Sequence, residues 1–465
     1  MHHKGRFPNV FFGANLRPDS AALAILIVLL FLIFVLLCMT LTAQPAQAQT
    51  FQVIHNFTGG IDGAAPFAGL TIDAAGNFYG TTCGSPCLGG VANAGTVFHL
   101  SKNGSGWVFT PLYIFRGGID GAAPDARVII GPNGSLYGTT NGGGSTGSGT
   151  IFNLKPATSV SPNISAGWTE TVLYSFSGGN DGANPEAEVV FDQAGNLYGT
   201  TLYGGQGEGQ HGFGVVFQLT PAGSGWTESV LHTFTGGSDG GWPVDSLIFD
   251  SAGNLYGTTA YGGTWGQYGC SFGWSCGTVF KLVQSSSGWT ESVVYSLQGG
   301  TDGGNPLGGV IFGADGYLYG TTSWGGSSGG GTVFSINHPG LAPYPLSGST
   351  NDYLPGSWAS LTMDSVGNLY GTTYMDGTHH SGSVFQVSVS CGCGGCGWNY
   401  RLLHEFTGGS DGGNSLGGVV LDRNGNIFGT TYAGGAYGYG VVFEITSAEG
   451  SKTAPAGSSE CSKGQ

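Results

Sequence analysis

The sequence predicts an all-β protein, a seven-bladed β-propeller of four-stranded blades. Three observations carry this. The first is a repeat. The stretch GGNDGANPEAEVVFDQAGNLYGTT, residues 178–201, recurs seven times after residue 50. The Asp of its opening turn is Asp62, Asp120, Asp181, Asp239, Asp302, Asp352 and Asp411. Its closing Tyr-Gly-Thr-Thr starts at Tyr79, Tyr137, Tyr198, Tyr256, Tyr319 and Tyr370, with Phe428 in the last copy. Successive copies lie 58, 61, 58, 63, 51 and 58 residues apart. A period this long is one supersecondary unit per copy, which buries its apolar faces only against its neighbours. The second observation is four strand-like runs per copy, separated by turn signals such as Asp250-Ser-Ala-Gly-Asn254. Four-stranded sheets repeated seven times read as a propeller. The third is composition. Gly is 92 of 465 residues without a Gly-X-Y period, aromatics are 12%, and charged residues are only 8%. That is enough aromatic side chain for a core and too little charge for a long helical surface.

Taken in order, residues 1–20 carry Lys4, Arg6 and Arg17, and an apolar run follows from Ala21 to Leu41. Ala46-Gln47-Ala48 then supplies a small-x-small cleavage pattern. Residues 1–48 therefore read as a signal peptide cut after Ala48. The rival is an uncleaved membrane anchor over residues 21–41. Both place the repeats outside the cytoplasm: secreted, periplasmic or at the cell surface, or held to the inner membrane with the propeller outside. Residues 51–446 are the seven-repeat propeller, and 447–465 a flexible tail.

Residues 51–57, FQVIHNF, match the outer strand of later copies, such as TVLYSF at 171–176. The chain ends instead on the third kind of strand, GVVFEI at 440–445. The last blade thus lacks an outer strand and the N-terminus has one to spare. Pairing the two would close the ring and leave no open edge. The sixth copy is degenerate. The run before it, LAPYPL at 341–346, holds two prolines and should be an edge strand or a loop. The Gly inside Tyr-Gly-Thr-Thr is expected to leave room for an aromatic ring of the next blade.

Net charge is −15, and becomes −17 once residues 1–48 are removed. Without a basic footprint nucleic acid is excluded as a partner. Membrane contact is expected only through residues 21–41.

The words Asp-Gly-x-x-Pro, Gly-Asn-Leu-Tyr-Gly-Thr-Thr and Gly-Thr-Val-Phe resemble the tandem-repeat family named for Gloeobacter and Verrucomicrobia. The resemblance spans roughly residues 51–446, seven times over. It implies an exported bacterial repeat protein with no assigned chemistry, and it supplies no catalytic residues.

Three residue sets are candidates for function. The seven turn carboxylates named above would lie on one rim and could bind a cation, calcium first. The simpler reading, preferred here, is that each satisfies the amides of its own turn. The aromatics after Tyr-Gly-Thr-Thr are Tyr203, Tyr261, Trp324, Tyr374 and Tyr432. On the same rim they could stack on sugar faces, against the simpler reading of packing between loops. The cysteines are disulfide candidates. Cys83 and Cys87 lie in one loop and Cys270 and Cys276 in another, while Cys391, Cys393, Cys396 and Cys461 form a second group of open pairing. His55, His232 and His404 alternate with Tyr113, Tyr174 and Tyr295 at one strand position, which reads as structural. His211, His379 and His380 sit in loops without a visible partner. No metal site or cofactor is expected beyond that calcium option, and no catalytic residue is assigned. The resulting expectation is a non-catalytic binding or scaffold module, with carbohydrate or surface proteins as partners. The alternatives are a polysaccharide lyase or hydrolase, which would break the repeat with unique acid and base groups on one rim, and a purely structural surface protein.

Overall fold

The computed structural model describes residues 49–84, 87, 93–157, 167–205, 212–264, 276–347, 356–392 and 395–446. The leader 1–48, the tail 447–465, Asp352, Cys270, Cys393, Cys461 and His211 lie outside the described residues. Among the described residues no helix is long and apolar enough to cross a membrane.

Twenty-eight strands form seven four-stranded antiparallel sheets, each a blade. In the fourth blade, for example, the strands run Ile248–Phe249, Leu255–Thr259, Thr278–Ser285 and Gly288–Ser296, hydrogen-bonded in that order from the channel outward. Closure follows the expected route. Phe51–Asn56 pairs antiparallel with Val441–Ile445, with Phe51 opposite Ile445 and Val53 opposite Phe443. The proline-bearing run of the fifth blade shrinks to the two-residue edge strand Tyr344–Pro345.

The apolar core lies between blades. Seven clusters of buried side chains each join one blade to the next, and one joins Phe57, Leu70, Phe78 and Phe98 to Val420, Phe428 and Val442 across the closure. No sheet covers both its faces unaided, so the blades are stable only as neighbours.

Tyr-Gly-Thr-Thr recurs because each of its four residues meets a separate need. The Tyr198 hydroxyl donates to Asp192 at 3.0 Å, the carboxylate that also accepts from the Ala194 and Asn196 amides in the preceding turn. Gly257 leaves room for Phe280, whose Cζ would lie 2.6 Å from an added Cβ. That ring belongs to the strand paired with Gly257 in the same blade, not to the next blade as expected. Cross-strand partners share a sheet face, so the short Gly lets the facing Phe lie flat. The first Thr crosses the seam: Thr81 donates to Ala126 O at 2.9 Å, Thr139 to Ala187 O at 3.0 Å, and Thr430 to Ala68 O at 2.8 Å across the closure. The second Thr meets the Thr that opens the third strand, as in Thr259 with Thr278 at 2.8 Å.

Candidate functional site

Two sets of loops share one rim. In five blades the loop entering the blade pairs by a backbone bridge with the loop after that blade's Tyr-Gly-Thr-Thr, as in Ala183 with Tyr203, Gly241 with Tyr261 and Gly304 with Trp324. This pairing sets Tyr203, Tyr261 and Trp324 beside the entry loops of their own blades.

The turn carboxylates serve their own loops. Asp62 accepts from the Thr58 amide at 3.0 Å, Asp239 from the Thr235 amide at 2.9 Å, and Asp411 from the Thr407 amide at 3.0 Å. A donor seven residues upstream reaches the same oxygen. It is Tyr113 to Asp120 and Tyr174 to Asp181, both at 3.1 Å, and Tyr295 to Asp302 at 3.1 Å. His55 lies 3.3 Å from Asp62 and His404 3.2 Å from Asp411. His232 Nε2 stands 3.4 Å from Asp239. A Tyr hydroxyl and a His Nε2 arrive at one place, which explains their interchange. Burial alone would raise the Asp62 and Asp239 carboxyls. The His, the Thr hydroxyl and the Thr amide outweigh it and hold both below the ordinary range.

The aromatics divide into separate groups. Tyr203 and Tyr261 both meet Trp242, with ring centroids 6.2 Å and 5.0 Å away, and Phe213 stacks on Tyr261 at 5.9 Å. Tyr374 packs on Trp358 at 5.1 Å, and Tyr432 on Phe67 at 6.3 Å. Trp324 lies apart, against Leu297 and Cys276. All five sequence-named aromatics are half-buried.

The channel itself breaks the repeat. The residue just after the turn proline, or the Ser in its place, is Phe67, Asp125, Glu186, Val244, Leu307, Trp358 or Leu416, and all seven line one funnel. Beneath them lie Arg127, Glu188, Asp245 and Ser360. The funnel is acidic where blades two to four begin and apolar elsewhere. Its cavity is about 90 Å³.

Arg127 bridges two blades. Its Nε and Nη2 donate to the two oxygens of Glu188, each at 2.7 Å. Asp245 accepts from the Ser246 amide at 2.6 Å, the Gly309 amide at 2.6 Å and the Ser360 hydroxyl at 2.7 Å. Burial still leaves its pKa raised. Asp125 and Glu186 stand at the mouth with protein on every side of the channel. Burial, then the Glu186 charge, pushes Asp125 well above the carboxylate range. Burial pushes Glu186 up to about 7, offset in part by the bond donated from Asn141 Nδ2 at 2.6 Å. Glu186 can therefore hold and donate a proton near neutral pH. None of these five charged residues was singled out from the sequence. The signal was there in one column, where acidic residues follow the proline in two copies and apolar ones do in the rest.

Cys83 bonds to Cys87 and Cys391 to Cys396, and Cys276 is also disulfide-bonded. The sulfurs of Cys83 and Cys87 gather with Asp125, and those of Cys391 and Cys396 with His338. A disulfide offers no thiolate, so neither group has the donors of a thiolate metal site.

Among solved structures, similar chains include a provisionally assigned 6-phosphogluconolactonase from Bacteroides uniformis. It is 15% identical over 73% of this chain and 85% of its own, with a TM-score of 0.44. A protein of unknown function from Dyadobacter fermentans is 12% identical over 72% and 96%, with a TM-score of 0.41. The NanB sialidase of Streptococcus pneumoniae is 11% identical over 85% and 70%, with a TM-score of 0.38. Likeness at this level carries nothing about activity. No curated protein matches the chain in sequence. The model of the Gloeobacter/Verrucomicrobia repeat matches residues 40–166, 163–273 and 267–457. The chain belongs to the Gloeobacter/Verrucomicrobia repeat family.

Proposed function

We propose that the protein is a non-catalytic binding module that engages carbohydrate on the rim around its channel mouth. One observation carries this reading: the half-buried rings of Phe67 and Trp358 line a mouth whose carboxylates occur in only three of seven blades. Ring faces suit the C–H face of a sugar, and carboxyl groups suit its hydroxyls. A purely structural protein has no need for charged groups that interrupt its repeat. The disulfides support a place outside the reducing cytoplasm, whether secreted, periplasmic or on the cell surface. Calcium at the turn carboxylates is not needed for this reading, since each described one is engaged within its own turn.

The second reading is an enzyme acting on polysaccharide. Asp125 and Glu186 favour it, because two carboxyls at one mouth, both with raised pKa, are the groups such chemistry uses.

The test is a panel of poly- and oligosaccharides, with and without calcium, read for binding and for released product in the same wells. Binding without product, weakened by Tyr261→Ala, is the expected result. Product that disappears in Glu186→Gln would replace the binding module with the enzyme. Neither binding nor product on any glycan would remove both readings.

A further inference from the structure

Trp242 stands where five other copies carry Ala65, Ala123, Asn184, Asn305 and Asn414, all with left-handed backbone. Its own φ is +57°, a conformation that Asn tolerates and a bulky side chain rarely adopts. The three Asn residues use the position to sew blades together. Asn305 donates to Ala260 O at 2.9 Å, Asn414 to Tyr374 O at 3.0 Å, and Asn184 to Asn141 O at 3.0 Å. Trp242 gives up that bond. Its indole N–H is buried and has no hydrogen-bond partner among the described residues. A strained backbone, a missing seam bond and an unpaired donor are all costs to the fold. They coincide with a ring that contacts both Tyr203 and Tyr261 on the rim.

We propose that Trp242, with Tyr203, Tyr261 and Phe213, forms the subsite that takes one uncharged pyranose ring of a glycan. This rests on the carbohydrate reading above and narrows it. The half-buried aromatic rings offer a stacking platform for the C–H face of a sugar. Glu186 acts on the Tyr203 hydroxyl, so a sugar carboxylate placed here would meet a carboxyl group. Arg127 gives its Nε and Nη2 to Glu188. Uronic and sialic acid units are therefore disfavoured.

The experiment is calorimetric titration of the full chain with neutral gluco-, manno- and xylo-oligosaccharides and with oligogalacturonate, repeated on Trp242→Asn and Trp242→Phe. Asn is already the residue of three other blades at this place, so the first variant is compatible with the fold. The proposal expects a neutral ligand, at least a tenfold loss of affinity in Trp242→Asn and a smaller loss in Trp242→Phe. It also expects a ligand-induced change in tryptophan emission that Trp242→Phe abolishes. Wild-type affinity in both variants overturns the subsite while leaving the rim reading intact. Preference for oligogalacturonate also overturns it. No binding by the unaltered protein overturns the carbohydrate reading itself. If Trp242→Asn does not fold, Trp242→Phe decides alone: unchanged affinity and emission reject the subsite.

Discussion

Arg127 of the second blade grips Glu188 of the third with two parallel hydrogen bonds, both 2.7 Å, across the wall of the channel. The Glu188 charge, against the cost of burial, raises the Arg127 pKa, so the guanidinium stays charged. Arg127→Ala leaves a carboxylate alone in the wall. Removal of one partner from a buried pair costs about 3–5 kcal/mol, and these side chains retain 29% and 15% exposure, so about 2–3 kcal/mol is expected. Arg127→Lys keeps the charge without the planar fork and recovers only part of the loss. Denaturant unfolding of both variants measures this. Equal stability for Ala and wild type would show that the fork contributes nothing.

The contact between Gly257 and Phe280 makes a second prediction. Gly257→Ala puts a methyl 2.6 Å from the Phe280 ring, inside contact distance. The ring lies in a packed seam, so relief requires it to leave its rotamer. A loss of about 1–3 kcal/mol follows. Adding Phe280→Leu, which shortens the side chain, should restore part of that loss in Gly257→Ala. Thermal melts of the two single variants and the double variant give the coupling directly.

Ring closure depends on one strand. A chain starting at Thr58 lacks Phe51–Asn56, so Val441–Ile445 becomes an exposed edge. Amide hydrogen exchange should rise first in Val441–Ile445, while the strand Thr278–Ser285 of the fourth blade stays protected. Uniform protection in the shortened chain would mean that the ring closes without this strand.

Stability should also depend on pH through the outer seams. Glu170 of the second blade faces Asp120 and Tyr113 of the first, and Glu228 faces Asp181 and Tyr174. In both, one carboxyl oxygen is buried without a hydrogen-bond partner. Burial, then the facing Asp, pushes each up to about 7. These folded-state values lie above the ordinary carboxyl value. The contribution is therefore complete below about pH 4.5 and disappears as pH rises through about 7. The double variant Glu170→Gln, Glu228→Gln removes the charge that burial penalises. It should gain on the order of 1 kcal/mol at pH 8, after allowance for solvent screening, and little at pH 5. Melting temperatures at the two pH values test this; equal gains at both would reject it.

The repeat alone determined much of this protein. Its period, its four strand-like runs and the phase of its first and last strands were enough to predict a seven-bladed ring closed by residues 51–57. Local physics is the reason. Turn residues, alternation and backbone pairing act over a few positions, and each copy repeats them. The interchange of His404 with Tyr174 was legible too, since both supply a donor seven residues before an Asp. What lies between copies was not. The same-blade partner of Gly257 followed from register, which puts Phe280 directly opposite it. The mouth followed from closure, which brings Asp125, Glu186, Arg127, Glu188 and Asp245 from three separate copies to one channel. Trp242 was not singled out from the sequence; its strained backbone, its lost seam bond and its contacts with Tyr203 and Tyr261 set it apart only in the folded ring. Burial, charge coupling and strain arise only when distant residues meet, so the tertiary structure alone decided where this rim differs from blade to blade.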